Sequence, residues 1–138
     1  MVTITYPHQF AYSDMGRGYF PLLQFGIESL ARQAAPVDVD AYVDSGARFS
    51  LFDGSILATI GVDLLDGPPR TYYPAAGLPF EGRVHPVRLL HDTLGNFELG
   101  IGFSLNGISR NLLGRDFFDL IQLGFREHHL TFYIDPTP

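Results

Sequence analysis

Asp44 opens the tetrapeptide Asp44-Ser45-Gly46-Ala47 and follows directly on an alternating apolar stretch. Val37, Val39, Ala41 and Val43 fall on one face and Asp38, Asp40 and Tyr42 on the other, which is the period of two of a half-buried strand. Such a strand holds the Asp44 carboxyl at a rigid tip, where it is placed for acid–base chemistry. Ser45 and Gly46 suit a tight turn, and Ala47 is too small to crowd a chain passing over it. The same tripeptide also reads as an ordinary strand-to-turn sequence, because Asp, Ser and Gly are common turn residues.

A second element lies far downstream, in Asn111-Leu112-Leu113-Gly114-Arg115-Asp116-Phe117-Phe118. Here an apolar strand end meets a glycine and then a helix start, with Phe117, Phe118 and Ile121 spaced to make one buried helix face. The two elements together resemble the retropepsin-like aspartic proteases, in which a D-[ST]-G-A loop packs beside an apolar-apolar-G-R-[DN] segment. The resemblance covers roughly residues 20–134. It implies an all-β acid-protease fold, a closed barrel-like half-enzyme with one short C-terminal helix. Residues 1–19 are then an N-terminal strand and loop, and 20–138 the protease domain.

The chemistry implied by that resemblance is hydrolysis of peptide bonds. An acid pair does this when two carboxyls share one proton, one activating water and the other protonating the carbonyl oxygen. Only one such loop exists here, since Asp53-Gly54 and Asp66-Gly67 lack the intervening hydroxyl residue. A second Asp44 must come from a second copy across a twofold axis, so an active enzyme is expected to be a homodimer. By the same resemblance Ser45 locks the two loops together, Gly46 accepts a hydrogen bond from substrate backbone, and Gly114, Arg115 and Asp116 support the loop. Ala47 and Arg48 would touch substrate, and residues 71–82 would form a flap with Ala75, Ala76 and Gly77 at its tip. An acidic residue stands at the place of Arg48 in the viral members and pairs with the second-motif arginine. Here Arg48 and Arg115 would share that neighbourhood, with Asp116 or Asp53 neutralising one of them. If Arg48 faces the channel it favours acidic substrates; otherwise it points to solvent. The alternative to a protease is a weak or inactive module of this fold that binds peptides or mediates dimerisation, for which the acid at a like-charge contact would have no use.

Composition agrees with a single small domain. The chain has 138 residues, 46% of them hydrophobic, with 12 Phe and 7 Tyr. That is ample for a core and rich enough to suggest an apolar interface. A formal charge of −6 without any basic run argues against a nucleic-acid partner. The absence of cysteine removes thiol chemistry, disulfides and Cys-based zinc sites. No signal-like start or membrane span is seen, so a soluble, cytoplasmic protein is the expectation. No metal or other cofactor is implied: the adjacent His128 and His129 would point to opposite faces of a strand, and these two with His85 and His91 read as surface or turn residues. A Gly-x-Ser-x-Gly elbow and a G-x-G-x-x-G loop are both missing.

Along the chain, Val2, Ile4 and Tyr6 alternate with threonines as a short edge strand would, and residues 8–18 read as a loop. The run 20–27 and the motif strand make the first hairpin. Residues 55–60 suit either a helical turn or a strand. The patterns at 71–73, 82–90 and 97–103 predict strands. A helix is expected over 115–122, closed by Gly124, and then a final hairpin turning at 126–129. The terminal strands, 2–6 or 130–134, are the expected edges for pairing between copies.

Overall fold

Period-two patterning becomes strand along most of the chain. The computed structural model describes residues 1–138. Three short strands, β1 (His8–Ala11), β2 (Ser13–Asp14) and β3 (Tyr19–Phe20), precede the long β4 (Leu22–Ser29) and the motif strand β5 (Val37–Val43). Then come β6 (Leu51–Asp53), the single-turn helix α1 (Ser55–Thr59), β7 (Pro69–Tyr72), β8 (Phe80–His91) and β9 (Gly95–Ser104). The chain finishes with β10 (Asn111–Leu113), α2 (Arg115–Phe118), β11 (Gln122–Arg126) and β12 (Thr131–Asp135).

Six strands close on themselves in the order β4-β5-β10-β6-β9-β8, and a further pairing of β8 with β4 completes the ring. Closure removes the free edges that an open sheet would carry. The β4–β5 hairpin sets Leu23 opposite Ala41, Phe25 opposite Val39 and Ile27 opposite Val37, so both strands turn their apolar faces inward. The seam is short, four residues of β4 from Gly26 to Ser29 against Val87 to Leu90 of β8. Inside, Phe25, Phe52, Phe103 and Phe117 are fully buried. Phe117 comes from α2 and lies edge-on to Phe25 and Phe97, at 5.8 and 5.1 Å between ring centroids. Edge-on aromatic pairs contribute roughly 0.5–1.5 kcal/mol each beyond the area they bury. One helical turn therefore suffices to plug the barrel. The expected all-β fold, a closed barrel with a short helix late in the chain, is what the chain adopts.

A separate three-stranded sheet, in the order β1-β12-β11, lies against this core. Phe10 of β1 stacks on Phe132 of β12 at 5.3 Å, and Tyr12 reaches the core beside it. Several local expectations are corrected here, and one left open, at residues 55–60, is decided. Residues 2–6 are not a strand; the first strand begins at His8, inside the stretch read as a loop. Pro7 removes a backbone donor, whereas residues after it find β12 as a partner. Residues 55–59 are helical, with the Asp53 carboxylate accepting the Ser55 N–H at the helix head. The helix at 115 ends at Phe118, and Gly124 lies within β11 rather than closing a helix. β12 is flanked on both sides, so residues 130–134 offer no free edge. His85 is buried, its Nε2 2.7 Å from the Leu64 carbonyl oxygen, so it is no surface residue.

Candidate active site

β5 ends at Val43, and the next backbone N–H, that of Asp44, donates to the Leu113 carbonyl at 3.0 Å. This continues the parallel pairing of β5 with β10, in which Leu113 stands beside Val43. The tip of one strand is thus held by the end of another. The Asp44 carboxylate accepts the Gly46 N–H at 2.9 Å, and the Asp44 carbonyl accepts the Ala47 N–H at 3.1 Å. These two bonds fold residues 44–47 into a closed turn and fix one carboxylate oxygen, leaving the other free. Asp44 is half-buried, while Ser45 and Gly46 are exposed.

Gly114 is where the two motifs meet. Any Cβ there would lie 2.7 Å from the Ala47 carbonyl oxygen and 2.8 Å from the Phe49 carbonyl carbon, closer than real contacts allow. Only glycine lets the β10–α2 junction cross the loop at this distance. Beyond it, the Arg115 N–H donates to the Ala47 carbonyl at 2.9 Å.

Asp116 holds the loop from below through Ser50, a residue the sequence did not single out. The Asp116 carboxylate accepts the Ser50 N–H at 2.9 Å, the Ser50 hydroxyl at 2.6 Å and the Phe117 N–H at 2.8 Å. The Ser50 Oγ in turn accepts the Gly114 N–H at 2.9 Å. Ser50 is fully buried, and its hydroxyl has both its donor and its acceptor role filled. The only signal for it in sequence is a lone hydroxyl in the apolar run Phe49-Ser50-Leu51-Phe52.

β7 and β8 pair antiparallel from Tyr72↔Phe80 to Pro69↔Arg83, and residues 73–79 form an exposed tip. Ala75, Ala76 and Gly77 all lie in this tip, and Gly77 takes φ +99° with nothing near it. At the hairpin's base Tyr72 is buried, its ring stacked on Phe80 at 5.5 Å, and a Cβ at Gly102 would overlap its hydroxyl. Gly102 N–H in turn donates to the Ser50 carbonyl, so the base of the hairpin and the foundation of the loop share one contact chain. On another side of the loop, Asp44 and Ser45 line a cleft of about 420 Å³ together with Phe20, Tyr42, Arg110 and Phe125.

A closed six-stranded barrel with an Asp-Ser-Gly turn braced by a glycine crossing, and a projecting hairpin, decides the fold. The fold is that of the retropepsin-like aspartic proteases. Two solved structures are similar to it. A retropepsin-like aspartic protease from Rickettsia conorii matches with a TM-score of 0.63 over 96% of this chain and 98% of its own, at 12% identity. The EIAV protease, solved with a bound inhibitor, matches with a TM-score of 0.50 over 72% of this chain and 86% of its own, at 17% identity. No protein-family model matches the chain, and no curated protein matches it by sequence.

Within this retropepsin-like frame Arg48 has a companion that the sequence did not single out. Its guanidinium lies 4.9 Å from the centre of the Phe49 ring, and the companion on that ring is Arg70 of β7, at 4.0 Å, rather than Arg115. Arg115 is exposed at the head of α2 and makes no ion pair; its contribution to the loop is its backbone N–H. Neither Asp116 nor Asp53 neutralises an arginine, because Ser50 and Phe117 occupy the first and Ser55 the second.

Proposed function

We propose that the chain is an aspartic endopeptidase that acts as a homodimer, with Asp44 of each copy supplying one carboxyl. The observation that carries this reading is the Asp44 turn itself. Its carboxylate is oriented by Gly46 N–H, set on a strand tip and braced from behind by Leu113 and Gly114, with the other oxygen left for chemistry. In the dimer the two carboxyls share a proton, one as base toward water and one as acid toward the peptide carbonyl. Ala47 and the tip residues Ala75, Ala76 and Gly77 border the extended peptide, and Ser45 and Gly46 complete the loop beneath it.

The copies meet through β11. This strand pairs with β12 on one side only, and its Phe125 is 42% exposed beside Asp44 and Ser45 in the same cleft. An unpaired edge carrying an exposed aromatic residue suits pairing with a second copy, which would bring the two loops together.

The test is Asp44→Asn, which keeps shape and removes ionisation. Cleavage of a random peptide library should fall by roughly a hundred- to ten-thousandfold, with folding and sedimentation unchanged. Wild-type activity should peak on the acid side, where a single proton is shared. Cleavage by the Asn variant at the wild-type rate would remove Asp44 from the chemistry. Peptide binding by the wild-type chain without cleavage would make it a binding module of this fold.

A further inference from the structure

We infer that Arg48 and Arg70, stacked on the single ring of Phe49, form a subsite for an acidic side chain of the bound peptide; this rests on the peptide-binding part of the function proposed above. The chain contains no lysine, so its nine basic side chains are all arginine. Every ion pair in the structure uses Arg32, Arg83 or Arg88. Arg48 and Arg70 have none, although the chain as a whole is acidic, at −6.

Two cations on one ring repel each other, and an anion placed between them relieves that repulsion. The ring fixes both guanidiniums through cation–π contact, at 4.9 and 4.0 Å, which reduces the side-chain freedom lost when a ligand binds. A guanidinium presents paired donors that match a carboxylate. The nearby Asp116 forms no ion pair with either arginine; its carboxylate is turned to Ser50 and Phe117.

The position fits a substrate wall. Arg48 is on the segment leaving the Asp44 turn, whose backbone is pinned against Gly114. Arg70 is on β7, which leads directly into the projecting tip, and it shares the inward face of that strand with Tyr72. Burial raises the pKa of the Tyr72 hydroxyl against the opposing pull of Arg70, as expected of a cation seated close to the barrel wall. The two arginines thus come from the two elements between which an extended peptide would run. In a twofold dimer the subsite repeats at the other end of the cleft, so acidic residues would be favoured on both sides of the cut.

The experiment uses the full chain carrying Asp44→Asn, with short fluorescent peptides in which a single Gln is exchanged for Glu at each position in turn. Binding is read by anisotropy, and the same peptides are tested for cleavage by the wild-type chain. One Glu position, or two related by symmetry, should bind roughly ten- to hundredfold tighter than its Gln counterpart, and added salt should erode the difference. Adding Arg48→Gln or Arg70→Gln should abolish the preference, bringing each Glu peptide to the affinity of its Gln counterpart. Equal binding of Glu and Gln peptides, or a preference that survives both substitutions, overturns the subsite. Cleavage without acidic preference removes the subsite and leaves the protease reading, whereas acidic preference without cleavage does the reverse. No binding of any peptide overturns both.

Discussion

At the scale of single residues, the site depends on one buried hydroxyl. Ser50 receives Gly114 N–H and donates to Asp116, so Ser50→Ala strands the buried Gly114 N–H and takes one of three donors from the Asp116 carboxylate, which keeps the N–H groups of residue 50 and Phe117. A buried polar group left without its partner costs about 1–3 kcal/mol. The variant should therefore lose on the order of 2–3 kcal/mol in urea unfolding and some cleavage as the loop loosens. Gly114→Ala acts from the other side of the same contact by forcing a methyl against Ala47 and Phe49. Overpacking of this kind costs roughly 1–3 kcal/mol, and the loss should appear in the same unfolding assay. Asp44, Gly114 and Asp116 were legible in the sequence because each sits in a short motif that states its own turn chemistry. Ser50 and Arg70 were not legible. The first acts through Asp116, 66 residues away along the chain, and the second reaches Phe49 only because β7 is folded back over it.

Among the elements, β5 was read with its ends correct, since seven residues of strict alternation leave little choice between helix and strand. The helical spacing that runs past Phe118 misleads for a reason specific to it. Phe117, Phe118 and Ile121 do have helical spacing, but residues 122–126 pair with β12 from Gln122↔Asp135 to Arg126↔Thr131, and tertiary pairing overrides the local pattern. Gly124 serves close packing instead, because a Cβ there would approach the Tyr6 hydroxyl to 3.1 Å. The free edge of β11 yields a direct check. Phe125→Glu should leave the barrel folded and shift sedimentation to the monomer, with cleavage lost in parallel. The β7–β8 hairpin has its own test. Amides of residues 75–78 should exchange rapidly in the free protein and slow on adding a peptide ligand, while those of β8 near its pairing with β9 stay protected throughout.

For the whole molecule, acid is both an opportunity and a hazard. His91 lies edge-on to Phe10 and Phe25, at 5.6 and 5.5 Å, and its Nδ1 accepts the N–H groups of Thr93 and Leu94 at 3.1 Å. Burial holds its pKa below the usual 6.5, helped by His8 and opposed by Asp92. The fold therefore favours neutral His91. The unfolded chain binds the proton first as pH falls, so this contribution is complete above 6.5 and is lost as pH drops through the lowered value. Melting temperature should decline on the acid side of 6.5, and His91→Asn, which keeps an acceptor but does not titrate, should flatten that decline. Thermal melts across a pH series decide it. The pairing of β1 with β12 joins segments far apart along the chain, His8 to Ile134 and Ala11 to Thr131, and this bears on how the chain is made. A ribosome releases residues in order, at about 5–20 per second, so β1 emerges well before β12 and waits for all the strands between them. Throughout that interval Phe10 has no Phe132 to stack on, and a strand with an apolar face stands unpaired. Such non-local pairing folds slowly and leaves nascent chains open to aggregation, so expression at lower temperature or with a chaperone that shields the N-terminal strand should raise the soluble yield.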